Sequence, residues 1–154
     1  MSVDANTLVF FDASCLVAAS GSPLGGSGFL LSICARGFLS GAVSQPVLLE
    51  TERNVSEQLS PEALTTYHRL IATTPLLVVP LPSRKERRQY DLLVGRKDEH
   101  VLAAAIAAGA EFLLTLDKPL ERKVNLADRA IRALSPGDFI TTVLIEHVDY
   151  PRMR

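Results

Sequence analysis

GRKDEHVLAAAIAAGAEFLLTLDKP, residues 95–119, decides how the rest of the chain is read. Asp98 opens a helix. Residues 101–108 are apolar almost without break, too short to span a bilayer and suited to a buried helix. Gly109 stops it, because glycine readily takes the left-handed conformation that ends helices. Residues 111–116 then predict a buried strand, and Asp117 follows directly. Helix followed by strand on this scale is half of an α/β unit. In open α/β sheets the reactive crevice lies outside the carboxyl ends of the strands, which is where Asp117 would sit.

The front of the chain repeats the arrangement. Residues 8–11 predict a buried strand, and Asp12 follows it. If the two strands are neighbours, two carboxylates share one sheet edge. Adjacent carboxylates repel and raise each other's pKa unless a cation stands between them. The pairing therefore predicts a divalent metal site.

Between these anchors strands and helices alternate. Residues 15–19 are helical, and 20–27 form a turn-rich loop. Gly25-Gly26-Ser27-Gly28 follows no strand and lacks a Walker lysine, so it reads as a flexible loop and not a phosphate cradle. Residues 29–36 suit a core helix stopped near Gly37, and 38–43 a short strand. Ser44 with Pro46 starts a helix running to about Leu59, and Ser60-Pro61-Glu62 starts another to about Ala72. Residues 75–79 predict a third buried strand, 83–93 a charged helix, 118–122 a short helix or turn, and 130–134 an edge strand. Ser135-Pro136-Gly137-Asp138 starts a last helix to about His147. The alternation predicts one α/β domain over residues 1–154, with a central parallel sheet covered on both faces.

Composition narrows the function classes. The chain has 154 residues, and no apolar run reaches the roughly 18 residues of a membrane span. MSVDANT has neither a basic start nor a long apolar core, so no signal peptide is expected. Cys15 and Cys34 form no CxxC pair, which argues against zinc and for reduced thiols in the cytoplasm. The formal net charge of −1 lends nucleic-acid binding no global support, so any such case rests on local patches. Those are Arg84-Lys85-Glu86-Arg87-Arg88, Arg96-Lys97, Arg122-Lys123, and Arg152 with Arg154. Each reads as a solvated face or as a phosphate track, with Arg96 and Lys97 best placed before Asp98, while the run at Arg84 reads equally as surface or as a partner-binding patch.

FFDASCLVAA, then an acid at Glu50, then KDEHVLAAAIAAGAEFLLTLDKPL, then ALSPGDFI resembles the PIN domain family, in particular its bacterial toxin-type nucleases. The resemblance runs over residues 8–140. It implies a PIN-like three-layer fold and a four-acid site of Asp12, Glu50, Asp98 and Asp117 holding Mg²⁺ or Mn²⁺. It further implies hydrolysis of single-stranded RNA, an antitoxin partner and a homodimer. Ser14 would contact a metal water or the scissile phosphate, Thr115 would support the cluster, and Arg96 and Lys97 would hold phosphate. Two divalent ions about 3.5–4 Å apart activate the water and stabilise the leaving oxygen in such sites. Hard cations of this kind take oxygen ligands.

Plainer readings stand beside each assignment. Asp12 and Asp98 are also helix N-caps by type, and Asp117 a turn residue. Glu99 could replace Asp98. His100 suits a first helical turn as well as a phosphate, and Lys118 could merely neutralise Asp117. On the 44–59 helix, Val47, Leu48, Val55 and Leu59 would mark the buried face. Successive residues turn by about 100°, so periodicity favours Glu52, or neither acid, whereas the family spacing favours Glu50. The rival functions are a PIN-fold module that binds RNA without cutting it and a receiver-like signalling domain.

Overall fold

Val9, Phe10 and Phe11 are each fully buried in strand β1 (Leu8–Phe11). Successive strand residues point to opposite faces, so only a strand covered on both sides hides them all. The structure, a computed structural model, describes residues 2–127 and 130–154. The other strands are β2 (Ser40–Ser44), β3 (Leu76–Val79), β4 (Phe112–Leu114) and β5 (Arg132–Leu134). Among the described residues they form one five-stranded parallel sheet in the order β3-β2-β1-β4-β5, with Phe10 in register with Ala42 on one side and Leu113 on the other. Receiver-like and flavodoxin-like modules use the order 2-1-3-4-5, so this topology departs from the signalling alternative.

Helices flank the sheet. They are α1 (Ala13–Gly21), α2 (Gly26–Ala35), α3 (Gln45–Gln58), α4 (Pro61–Thr73), α5 (Arg84–Arg88), α6 (Asp91–Val94), α7 (Glu99–Ala107), α8 (Lys118–Leu126) and α9 (Pro136–Thr142). Helix α1 packs against α2, α3 and α4, while α7 lies on β2 beneath α5 and α6. The run Ala103, Ala104, Ala105 is buried and lets α7 approach the sheet closely. Phe112 of β4 meets Phe139 of α9 edge to face, ring centroids 5.2 Å apart. No single helix among the described residues is long and apolar enough to cross a membrane.

Local chemistry starts α3, α4 and α9 and stops α7. Ser44, Ser60 and Ser135 each accept a hydrogen bond from the backbone N–H three residues on, at 3.2, 3.2 and 3.0 Å, with proline in the first turn. Gly109 closes α7 at φ +78, a conformation open to few residues with a side chain.

Four sequence expectations need correction. The strand at 75–79 was expected to be buried, but β3 is an edge strand whose Leu77 and Val78 are 49% and 44% exposed. The charged stretch 83–93 is two short helices, because a capping box between Ser83 and Glu86 starts α5 and the chain breaks at buried Tyr90. The last helix ends at Thr142 and continues as a separate 3-10 turn, Leu144–Glu146. Gly25 to Gly28 is not a loop throughout: Gly25 caps α2 and the other three residues form its first turn, with Ser27 and Gly28 buried.

Candidate active site

The sheet order reverses direction between β1 and β4, since the chain runs from β1 outward to β3 and then returns to β4 on β1's other side. A crevice opens at the carboxyl ends of strands at such a switch point. Asp12 follows β1 there, and Thr115, Leu116 and Asp117 follow β4. The Asp12 N–H donates to the Leu114 carbonyl at 3.0 Å and ties the two strand ends together.

Asp12 is 8% exposed and its carboxylate is held from three directions. The Thr115 hydroxyl donates to Oδ2 at 2.7 Å, the Ser14 hydroxyl donates to the same oxygen at 3.1 Å, and the Ala13 N–H donates to Oδ1 at 2.8 Å. The two hydroxyls are themselves fixed by backbone: Leu116 N–H donates to Ser14 Oγ at 3.0 Å, and Asp117 N–H to Thr115 Oγ1 at 3.1 Å. Asp12 thus caps α1 while being oriented by residues from two elements. Asp117 caps α8, with Oδ1 accepting from the Leu120 N–H at 3.1 Å.

Asp98 does not cap its helix. It stands before α7 at φ −106, ψ 0, in a sparsely allowed region where active-site residues gather, and its side chain makes no capping bond. The half-buried carboxyl has its pKa raised, first by desolvation and then by the charges of Asp117 and Asp12, against opposing effects from Lys97 and His100. Three of the four acids singled out in the sequence therefore share one electrostatic site. Glu50 is half-buried on α3 and is not among the charges that act on Asp98. Glu52 is exposed, and its charge acts instead on Tyr67 of α4. The buried stripe of α3 is Val47, Thr51 and Val55, with Leu48 only partly covered and Leu59 37% exposed, which corrects the phase that had favoured Glu52.

Lys97 is exposed beside Asp98. Arg96 is exposed too and lies 3.9 Å from Asp91. Glu99, weighed in the sequence only as a substitute for Asp98, is 5% exposed and its Oε2 has no hydrogen-bond partner. The signal for its burial was helix spacing: Leu102 and Ala103, three and four residues on, are apolar and buried.

The oxygens present suit a hard divalent cation in kind. Among the described residues nothing hydrogen-bonds the Asp98 carboxyl or Asp117 Oδ2, and both are hard donors with like charges close by. No three His, Cys, Asp or Glu side chains among the described residues are grouped closely enough to hold an ion alone. Mg²⁺ does not require such a cage, because it keeps several waters and is held by one or two carboxylates with substrate phosphates.

Two expected outcomes follow from this geometry. Thr115 is 1% exposed, and Thr115→Val keeps its shape while leaving the Asp117 N–H without an acceptor and Asp12 Oδ2 with one donor fewer. Urea unfolding should show a loss of about 1–3 kcal/mol, most of it restored by Thr115→Ser. Asp98 should also leave a mark on the pH dependence of stability. Its raised native pKa means the folded state holds the proton more tightly than the unfolded chain does. The stability this provides is complete below the unfolded value of about 3.9 and is lost as pH rises through the native value. In chelator at neutral pH, Asp98→Asn is therefore expected to melt higher than wild type, and the difference should vanish in acid.

The fold and the three aspartates define an α/β protein with an acidic site at a sheet switch point. The PIN domain model matches residues 3–119, and the chain belongs to the PIN domain family. No curated protein matches it. Among solved structures it is similar to VapBC2 from Rickettsia felis bound to a DNA fragment from their promoter: TM-score 0.58, 19% identity, covering 83% of this chain and 98% of that one. PAE2754 from Pyrobaculum aerophilum gives TM-score 0.58 at 16% identity, covering 82% and 83%. VapC20 from Mycobacterium tuberculosis, a sarcin-ricin loop cleaving toxin, gives 0.50 at 17% identity, covering 68% and 86%. Identities this low show a shared fold.

Proposed function

We propose that this protein is an Mg²⁺- or Mn²⁺-dependent endoribonuclease that hydrolyses single-stranded RNA. The observation that carries the reading is Asp98, a helix-start carboxyl that caps nothing and whose pKa is raised first by desolvation and then by the charges of Asp117 and Asp12. A bound divalent cation would supply an activated water and charge neutralisation at the phosphate. Asp12, Asp98 and Asp117 would hold it, one or two of them directly and the rest through its waters. Thr115 and Ser14 would keep the Asp12 carboxylate pointed at the crevice by their hydroxyl bonds. Lys97 and Arg96 would attract the strand, and Lys97 already offsets the repulsion at Asp98. Glu50 would be the fourth acid, reaching the site from α3.

Likeness to VapC20 and VapBC2 supports the finer proposal of a toxin with an antitoxin partner, and the family resemblance of the sequence extends it to a cytoplasmic homodimer. A second reading, RNA binding without cleavage, is favoured by one observation: no three metal-binding side chains are grouped among the described residues. The test is incubation of purified protein with labelled single-stranded RNA in Mg²⁺, Mn²⁺ or chelator. The nuclease reading expects slow internal cuts with metal only, and a higher melting temperature in metal, because a ligand of the native state stabilises it by mass action. Binding with no cut in either metal would favour the second reading.

A further inference from the structure

Beside the acidic site is a second feature, of opposite charge. A solvent-open cleft of about 150 Å³ lies between α5 and the start of α7, lined by Arg84, Arg87, Arg88, Arg96 and Glu99. Arg84, Arg87 and Arg88 recur at the spacing of one helix face. Two buried atoms here are unsatisfied and chemically complementary. Arg87 Nε is a donor with no acceptor, and Glu99 Oε2 is an acceptor with no donor. Arginine–carboxylate pairs of this kind normally close on each other, yet the described residues show no ion pair between Glu99 and any lining arginine. Leaving such buried groups unmade costs stability.

A ligand that presents an anion and a hydroxyl donor side by side would satisfy both. A plain anion would not, because it would meet the Glu99 carboxylate. A ribonucleotide carries that pair on adjacent carbons, the 3′-phosphate and the 2′-hydroxyl. A deoxyribonucleotide keeps the phosphate and lacks the donor.

We infer that this cleft binds one ribose-phosphate unit of an RNA strand, phosphate on the arginines and 2′-hydroxyl donated to Glu99, and so makes the protein choose RNA over DNA. Asp98 adjoins Glu99 in sequence, so the phosphate held here flanks the one to be cut. The inference rests on the nuclease reading for the identity of the strand, not for the chemistry of the cleft. The arginines supply charge that either nucleic acid would feel. Glu99 supplies the discrimination, since the 2′-hydroxyl is what separates the two polymers at one site.

The experiment is fluorescence anisotropy in chelator, so that binding is read without cleavage. The probes are labelled single-stranded RNA, 2′-O-methyl RNA and DNA of one sequence. Wild type is expected to bind RNA about tenfold tighter than the other two, the scale of a hydrogen bond to a charged group. Glu99→Leu should reduce RNA affinity to the DNA level. Arg84→Ala and Arg88→Ala should weaken RNA and DNA alike and each lower the salt slope by roughly 1. Equal binding of RNA and 2′-O-methyl RNA by wild type would overturn the inference without any variant having to fold. So would an RNA preference that persists in Glu99→Leu, or a poly-glutamate peptide that displaces RNA efficiently. RNA cut in metal but bound no better than DNA would sink this inference and leave the nuclease reading intact. Failure to bind or cut any strand would remove both.

Discussion

Asp98→Asn and Asp117→Asn are each expected to lower metal-dependent RNA cleavage by at least roughly 100-fold, the upper end of what losing a mere supporting partner of a metal ligand costs. Asparagine keeps the size of the side chain and removes the charge that holds a hard cation. The loss should come without unfolding, and for Asp98→Asn with added stability in chelator, because the substitution removes a desolvated carboxyl repelled by Asp117 and Asp12. A variant that is dead and also less stable would fit a structural role for Asp98, and a variant that cuts like wild type would end the catalytic assignment. Glu50→Gln should cost more activity than Glu52→Gln, whose exposed carboxylate lies toward Tyr67. The reverse order would move the fourth acid to Glu52 and leave the nuclease reading standing.

The largest expected effect on stability lies elsewhere. A Cβ at Gly28 would stand 1.9 Å from the Pro23 carbonyl oxygen, 2.5 Å from its carbon and 2.8 Å from its Cα. These are backbone atoms of a proline whose φ is fixed, so no side chain can swing aside. Gly28→Ala must therefore push α2 away from the turn before it, and overpacking of this kind costs about 1–3 kcal/mol or more. The matched control is Gly137→Ala in α9, where an added Cβ meets nothing within 4 Å. It should be neutral or stabilising by up to about 1 kcal/mol. Urea midpoints at constant slope read both. A Gly28→Ala protein as stable as wild type would mean that the turn at Pro23 shifts freely.

Gly28 also shows where sequence reading failed and why. Four small residues in a row carry the local signal of a loop, and only packing against Pro23 explains glycine inside a helix; tertiary contact overrode propensity. The same limit applies to β3. Its apolar run looks like that of β1, but position in a sheet depends on strand order, which no local pattern encodes. On α3 the error was one of phase. Thr51 is fully buried and returns its hydroxyl to the Val47 carbonyl at 2.7 Å, so a residue counted as polar belongs to the buried stripe. What was legible was short-range chemistry: the Ser-Pro caps, Gly109, Asp12 directly behind β1, and Asp117 near the end of β4, which stops at Leu114 and not at the expected Leu116. Arg84, Arg87 and Arg88 were visible as a basic run, and their common helix face was available from spacing alone, but nothing in the sequence showed that they enclose Glu99.

The hydroxyl bond from Thr115 to Asp12 joins residues 103 positions apart in the chain. While the protein is being made, Asp12 leaves the ribosome 103 residues before Thr115 does. Domains form as units during synthesis, and pairings this distant are late and slow. A fragment that stops before β4 has α1 and its capping aspartate but no edge on which acids can meet. The order of synthesis therefore sets a delay: a chain interrupted before β4 lacks Thr115 and Asp117, and the acidic site is complete only after β4 has docked beside β1.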